Sequence, residues 1–542
     1  MAVWSKIARL WPVLFVALVL ASWNTYTPGD SNDDTSYIAL ARALARGLGY
    51  VSLAEAGAGA HQRFPPGFPM LMAPFQWLAP ENYALLRLQV AAFSVLAALL
   101  LFRYNQRLGL WRWIPLLTLF NPFWLFSCTQ VMSEQPFLAG LLAYFFALDH
   151  SLRNESPRNS RWFYLGMGLG LLCALRSIAI VLIPVVAFLL LRQPRRVLLL
   201  GAGVALTAGP WLLRSILTGY DNEYAVTRDV WQTLLQNLTY FPTWAGWLLL
   251  TGPRWVPPWL PLWVGLLPFG LSVWGLWKLR RPLLLGWVVM GLALLLVWPY
   301  QHPRLLLPFL PFLQMGLWHQ LGVGHRPLVR CLFGILLAGN LVWSVCDGVT
   351  AIPRHKDAGA VAMIRALPAG SVTSTRDQSW WLWTGSPVSM VQQLQSLERE
   401  WRWLDSLLSN GVRLIVVEDL ASPDSQALLR SWSRRGWLYR QVYASPEALV
   451  FAFQPDAGWR ASARWQALAR TALQMKKPEW AVPLFQKALR SAPYDISAAS
   501  GLAYALASQG QTQQAAQLVR SILSNDPDCG EALMVQGFLE HR

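Results

Sequence analysis

Long apolar runs fill the first two thirds of the chain and stop after Cys346. A helix needs about 20 predominantly apolar residues to cross the hydrocarbon core of a bilayer. The pattern therefore predicts a polytopic α-helical membrane domain over residues 1–346, with about eleven transmembrane helices. The apolar run 65–80 is short and rich in proline, so we expect it to lie at the membrane interface. The predicted spans are 7–23, 82–102, 113–130, 134–150, 162–175, 177–192, 197–217, 259–277, 283–299, 304–321 and 328–346.

Charge gives these spans an orientation. The chain has 45 Lys and Arg against 28 Asp and Glu, a formal net charge of +17. Its N-terminal segment and five short connections between alternate spans hold 16 of the basic residues and only two acidic ones. By the positive-inside rule these segments are cytoplasmic, so the N-terminus is inside and the C-terminal part is external. The basic excess is then a signal of topology, and we expect no nucleic-acid partner.

The first run could also be a signal peptide, because Lys6 and Arg9 precede it. No small-x-small cleavage pattern occurs before Trp23, and ten further spans follow. A retained first helix is the favoured interpretation.

The predicted external face includes the loop 24–80 and the loop 218–258. The first of these contains Asp30, Asp33 and Asp34, followed by apolar residues at helical spacing from Ile38 onward. Asp34 or Thr35 is a good N-cap for that helix. The acids then have three open interpretations: a cap with a solvated turn, a site for a hard cation such as a divalent metal, or a catalytic base.

The residues after Cys346 predict two soluble parts. Residues 347–460 alternate strand-like segments (371–375, 413–418 and 448–453) with helix-like ones (398–408 and 425–435), which indicates an external, periplasmic α/β domain. Residues 461–542 show the 34-residue spacing of tetratricopeptide repeats. The five cysteines are far apart in sequence, so we expect no structural disulfide. The residues that carry the repeat are Trp465, Leu468, Ala469, Ala472, Ala481, Phe485, Ala488, Pro493, Leu502, Ala503, Ala515 and Pro527.

Five motifs in the first 346 residues resemble the GT-C class of integral-membrane glycosyltransferases, in particular the bacterial protein O-mannosyltransferase and lipid A aminoarabinose transferase families. Two departures from the family pattern are Ser215, where Asn is usual, and His302. The motifs are Asp33-x₃-Tyr37 with Gly47-x-Gly49-Tyr50 and Pro65-Pro66-Gly67-x-Pro69, then Ser133-Glu134, Leu175-Arg176-Ser177, Pro210-Trp211-x-x-Arg214, and His302-Pro303-Arg304 with Pro308 and Pro311.

The resemblance implies an enzyme of a bacterial inner membrane. It would transfer a sugar from a polyprenyl-phosphate carrier, on the external face, to a protein, lipid or glycan acceptor. Asp33 or Asp34 would be the general base, and Arg304 and Arg176 would bind the lipid phosphate. No cofactor is required, although a divalent cation on the acids stays possible. The remaining candidate substrate-binding residues are Glu134, His302, Tyr37 and Arg63.

Two other functions are compatible with the sequence. One is a membrane transporter or flippase of a lipid-linked sugar, although the spans hold no deeply placed charge and show no inverted repeat. The other is a scaffold whose repeats organise cell-envelope glycan assembly. The repeats could equally bind a protein or glycan acceptor or pack on the α/β domain.

Overall fold

The computed structural model of the chain describes most of its residues, and these divide into two compact units. One unit comprises Met1–Ser52 and Gly59–Arg354, and the other Leu53–Ala58 and His355–Arg542. Asp30 and the predicted helix 398–408 lie outside the described residues, as does most of the predicted helix 425–435. The described residues are 2–29, 32–56, 61–153, 159–217, 230–250, 262–350, 356–368, 371–375, 379–384, 387–390, 411–418, 420, 426, 429–430, 432, 438–527 and 529–541.

The first unit is built from helices around one large apolar core. Short 3₁₀ turns at Ser22–Thr25, Ser177–Val181, Leu262–Gly265 and Pro303–Leu306 adjoin some of the helices. The α-helices are α1 (Ala2–Ala21), α2 (Asn32–Ala45), α3 (Gly67–Leu78), α4 (Tyr83–Arg107), α5 (Ile114–Leu119), α6 (Pro122–Ser127), α7 (Glu134–Arg153), α8 (Asn159–Leu175), α9 (Leu182–Leu189), α10 (Pro194–Leu217), α11 (Val230–Leu250), α12 (Leu266–Lys278), α13 (Pro282–Leu296), α14 (Leu310–Leu321) and α15 (Pro327–Thr350).

Each predicted span coincides with helical structure, but several of these helices are short or broken. The span 113–130 is divided into α5 and α6, where Asn121 caps Phe123 N at 3.0 Å ahead of Pro122. Among the described residues, three helices are long and apolar enough to cross a membrane. The count of eleven spans therefore stays a prediction. The three helices are Tyr83–Arg107, Pro194–Leu217 and Pro327–Cys346.

The interpretation of 218–258 as a loop is wrong over Val230–Leu250, which forms the 21-residue helix α11. Polar residues such as Asn237 interrupt its apolar pattern, so its helical signal is weak in the sequence. Buried Asn237 Nδ2 donates to the carbonyl oxygens of Leu295, Leu296 and Trp298, at 3.1, 3.0 and 2.7 Å. The polar side chain thus satisfies backbone groups at the end of α13.

Small residues allow α8 and α10 to pack closely. A Cβ on Gly203 would lie 2.1 Å from Phe163 O, and one on Gly166 would lie 2.0 Å from Leu200 O. Thr207 Oγ1 donates to Met167 O at 3.1 Å across the same contact. Close contact through glycines is typical of helix packing in membranes, where dispersion forces and interhelical hydrogen bonds hold helices together.

The helix predicted after the acids of the first loop is present as α2, but it begins at Asn32. The expected N-cap at Asp34 or Thr35 is therefore wrong, because both residues lie inside the helix. Gly47 and Gly49 follow with φ of 70° and 82°, conformations that glycine adopts without strain. The run 65–80 contains the helix α3, which Arg42 joins to α2 by donating from Nε to Gln76 Oε1 at 3.0 Å.

The second unit contains a five-stranded sheet in the order β2-β1-β3-β5-β4. β1 pairs in parallel with β2 and β3, whereas β5 pairs antiparallel with β3 and β4. The strands expected near 371, 413 and 448 are β1, β3 and β5. A segment of the first loop joins this unit, because Val388 N donates to Ala54 O at 2.8 Å and Ala56 N donates to Val388 O at 3.0 Å. The strands are β1 (Val372–Thr375), β2 (Val388–Met390), β3 (Val412–Glu418), β4 (Tyr439–Ala444) and β5 (Ala448–Phe453), and two short helices are α16 (Ala358–Arg365) and α17 (Trp380–Thr384).

Five further helices follow the sheet and form the repeat region. Trp459 and Ala463 of the first helix pack into the core of the sheet, and Phe485 fits against Gly501 in the next pair. The five cysteines of the chain have free thiols. The helices are α18 (Ala457–Gln474), α19 (Pro478–Ser491), α20 (Ile496–Ser508), α21 (Thr512–Asn525) and α22 (Gly530–Glu540).

Candidate active site

Asp33 lies in the first turn of α2 and faces two guanidinium groups. Arg304, in the 3₁₀ turn before α14, forms an ion pair from Nη2 to Asp33 Oδ2. Arg63 Nη2 lies 3.6 Å from Asp33 Oδ1. The Asp33 side chain is 18% exposed, so this carboxylate is paired but not fully buried.

Glu134 is the first residue of α7 and lies between Arg304 and a third arginine, Arg176. Arg176 Nη1 is 2.7 Å from Glu134 Oε1, and Arg304 Nε is 3.4 Å from the same oxygen. The second oxygen, Oε2, is buried and has no hydrogen-bond partner among the described residues. A buried carboxylate oxygen of this kind is suited to accept a hydrogen bond from a bound molecule.

We refer to these five side chains as the charged cluster. Arg304 holds it together, because it pairs with both carboxylates. Three guanidinium groups face two carboxylates, so the cluster has a formal charge of +1. An anion such as a phosphate would balance that charge and would match the planar fork of arginine. The members are Asp33, Arg63, Glu134, Arg176 and Arg304.

Tyr37 lies next to the charged cluster. Its hydroxyl is 3.4 Å from Ser133 Oγ, which also accepts from Arg176 Nη1 at 3.3 Å. The Tyr37 ring packs against the rings of Phe64 and Phe68, with centroids 4.6 and 5.0 Å apart. Burial, with the negative charge of Asp33, raises the pKa of Tyr37, so its hydroxyl stays protonated at neutral pH.

His302 contacts the backbone of the turn that contains Arg304. Its Nδ1 accepts a hydrogen bond from Arg304 N at 3.1 Å and so caps the turn that presents Arg304. Burial and the charge of Arg304 lower the pKa of His302, which favours the neutral ring that this bond requires. The geometry gives His302 a positioning contact with Arg304.

Asp34 has a different set of partners from Asp33. It is fully buried, and it accepts hydrogen bonds from the Tyr26 hydroxyl at 2.5 Å and from Gly29 N at 2.9 Å. Burial raises the pKa of Asp34 from 3.8 to about 7, against the opposing effect of these donors. The Tyr26 hydroxyl in turn accepts from Val131 N at 3.3 Å, which ties the turn before α2 to the segment preceding Glu134.

The predicted candidates are thus brought together, except that the contacts of Asp34 are with Tyr26, Gly29 and Thr35. Sequence reasoning missed Tyr26, for which no motif gave a signal. It also left Arg214 without a role, although this residue stands in a family-like motif. Arg214 donates to His61 O at 2.7 Å and to Tyr50 O at 3.2 Å, and so holds the loop that contains Arg63.

A cation site on the acids of the first loop finds no support in these contacts. The described residues contain no group of three or more His, Cys, Asp and Glu side chains that could hold a metal ion. Asp33 and Asp34 also take separate partners, and Asp30 lies outside the described residues.

Comparison with known proteins supports the fold. The solved structures of ArnT from Cupriavidus metallidurans, one bound to undecaprenyl phosphate and one in the apo state, align with TM-scores of 0.53 and 0.52. Their sequence identities are 15% and 13%, and each alignment covers 82% of this chain and 98% of ArnT. A weaker likeness, with a TM-score of 0.44 and 16% identity, covers 83% of this chain and 40% of the mycobacterial arabinofuranosyltransferase AftD. The likeness to ArnT confirms the GT-C fold expected from the motifs.

The repeat region has independent support. Residues 472–537 match the family model of the tetratricopeptide repeat, which confirms the repeats predicted from the 34-residue spacing. No curated protein sequence matches the chain.

Proposed function

We propose that this protein is a membrane glycosyltransferase that uses a polyprenyl-phosphate-linked sugar and acts at the charged cluster. The observation that carries the proposal is the cluster itself: three guanidinium groups and an accessible carboxylate meet in a chain with the ArnT fold. The ArnT structure holds undecaprenyl phosphate, a ligand whose phosphate matches the chemistry of such a cluster.

The proposed reaction is the displacement of a lipid phosphate at the anomeric carbon. An acceptor hydroxyl or amine attacks that carbon while Asp33 accepts its proton. The bond between the carbon and the phosphate oxygen breaks, and the polyprenyl phosphate leaves with one more negative charge than it had in the donor. Arg304 and Arg176, with Arg63, stabilise that added charge.

Arg304 has a second role in this proposal. It forms an ion pair with Asp33. A bound phosphate competes for the same guanidinium group and leaves the Asp33 carboxylate available to accept the proton. Glu134 holds Arg176 and Arg304 in place, and its Oε2 is positioned to accept a hydrogen bond from a sugar hydroxyl.

We further propose a multi-pass location in a bacterial inner membrane, with the N-terminus cytoplasmic and both C-terminal domains external. The acceptor would be a protein, lipid or glycan, and the tetratricopeptide repeats would be a means of recruiting it. The domain boundaries proposed from the sequence are 1–346, 347–460 and 461–542.

The first experiment measures lipid binding by the full chain in nanodiscs. Undecaprenyl phosphate is titrated against the wild type and Arg304→Gln. Loss of a charge-assisted hydrogen bond weakens binding by roughly 10- to 100-fold. The matched control is Arg192→Gln, an exposed arginine that should leave binding unchanged. Equal affinity of wild type and Arg304→Gln would contradict the assignment of the phosphate site.

A second measurement separates transfer from transport. Proteoliposomes receive synthetic undecaprenyl phosphate sugars together with a cell-envelope extract that supplies hydroxyl and amine acceptors, and the release of undecaprenyl phosphate is followed by mass spectrometry. Transfer predicts release that depends on Asp33. Movement of intact donor across the bilayer without release would instead establish the transporter function.

A further inference from the structure

The repeat region has a strong gradient of charge along its length. Its first helix pair, residues 457–491, has seven basic residues and one acidic residue. The next pair, 492–525, has one of each, and residues 526–542 have one basic residue and four acidic ones. Three of the six lysines of the whole chain lie within the first pair. The positive charge is therefore confined to one end of the repeats.

The same helix pair exposes large apolar side chains. Leu468 is 54% exposed, Met475 61% and Trp480 53%. Leu468 lies on α18, and Met475 is the C-cap residue of that helix, seven residues further along the chain. Three large apolar side chains exposed within one helix pair are typical of an interaction surface.

Cation–π contacts pair two of the lysines with tryptophans of the same helix pair. Lys477 Nζ lies 3.7 Å from the ring centroid of Trp480, and Lys487 Nζ lies 4.9 Å from that of Trp465. We refer to the combined surface as the basic face. Its members are Leu468, Met475, Lys476, Lys477, Trp480 and Lys487.

We propose that the basic face docks on the surface of a membrane that contains anionic phospholipid. Exposed Leu, Met and Trp side chains with flanking lysines are the composition of interfacial membrane-binding surfaces. Lysine extends its ammonium group to the phosphates while its methylene stem stays with the apolar residues. The first helix pair has a formal charge of +6, and this charge favours an anionic lipid surface as the occupant.

Attachment to the same chain strengthens such an interaction. The first unit holds three helices long and apolar enough to span a bilayer. A weak surface contact becomes effective when a linker keeps it near its partner. Docking would hold the repeats beside the membrane and limit how they present a bound partner.

The test uses the full chain in nanodiscs, with a bimane label at Met475→Cys. The exposed thiols are first removed by Cys331→Ser and Cys346→Ser. Nitroxide-labelled lipid quenches a label that touches the bilayer. The matched control label is Gln517→Cys, an exposed position on α21 in the neutral pair.

Nanodiscs of phosphatidylcholine with phosphatidylglycerol should quench the label at 475 strongly, and those of phosphatidylcholine alone weakly. Each basic residue removed weakens surface binding by roughly fivefold. Replacing Lys476, Lys477 and Lys487 together by Gln should reduce quenching to the level at 517, with an unchanged circular dichroism spectrum. High salt should have the same effect.

Three results would overturn the proposal. The first is equal quenching at 475 and 517. The second is quenching at 475 that does not depend on phosphatidylglycerol. The third is self-quenching between labels at 475 of two chains, which would identify a second copy as the occupant of the basic face.

Discussion

Asp33 and Asp34 are neighbours in sequence, yet α2 directs them into two contrasting regions. Asp33 faces the charged cluster, where two arginines approach it and 18% of its side chain is exposed. Asp34 faces a closed pocket, which we call the Asp34 pocket, formed with Tyr26, Gly29 and Thr35. In the first region a carboxylate meets cations, and in the second it meets neutral donors.

The difference suggests a catalytic role for one carboxylate and a structural role for the other. A general base must reach its substrate, and of the two carboxylates only that of Asp33 is partly exposed. A buried carboxyl surrounded by neutral donors instead fixes the backbone that donates to it. Through Tyr26 and Val131, the Asp34 pocket fixes the turn before α2 relative to the segment that leads into Glu134.

The largest expected effect is therefore on transfer, and it should distinguish the two acids. Asp33→Asn removes the proposed base and should lower the rate of undecaprenyl phosphate release by about 10²- to 10⁴-fold. Asp34→Asn keeps an acceptor for the Tyr26 hydroxyl and should lower the rate by less than about tenfold. The measurement is the turnover rate of both variants in proteoliposomes. A greater loss in folded Asp34→Asn than in Asp33→Asn would reverse the assignment.

Local pattern predicted much of this architecture. The helices of the first unit and the repeats follow from the spacing of apolar residues, a signal that lies within each segment of the sequence. The helix α11 was missed because polar residues such as Asn237 interrupt its apolar pattern, and the carbonyl groups that Asn237 binds lie nearly 60 residues further along the chain.

The sequence predicted the residues of the charged cluster as candidates, but it did not predict their contacts. Arg304 and Asp33 are 271 residues apart, and the order of the motifs gave no information on which side chains would pair. The choice between Asp33 and Asp34 depends on burial, a property of the whole fold. Tyr26 had no motif at all, since its role comes from lying between Asp34 and Val131.

The second expected effect is on stability, and here the substitution of Asp34 should have a larger effect than that of Asp33. Asp34→Ala leaves the Tyr26 hydroxyl and Gly29 N without their acceptor inside a closed pocket, at a cost of about 2–3 kcal/mol in the free energy of unfolding. Asp33→Ala removes a partly exposed ion pair, with a cost below about 1 kcal/mol. The apparent Tm of detergent-solubilised protein measures both. Equal shifts in Tm would mean that Asp33 shares the structural role.

The smallest expected effect is a pH dependence specific to the Asp34 pocket. Its carboxyl has a pKa of about 7 in the folded protein, against 3.8 in an unconstrained chain. Between these values the folded protein keeps a proton that the unfolded chain has released, so stability falls as the pH rises from about 4 to about 7 and is level above that. Asp34→Asn has no such proton to lose. The Tm of the wild type, measured relative to that of Asp34→Asn, should therefore decrease across this range and then stay constant. A difference in Tm that stays constant from pH 4 to 8 would show that Asp34 is ionised throughout. The two carboxylates would then differ in location but not in charge.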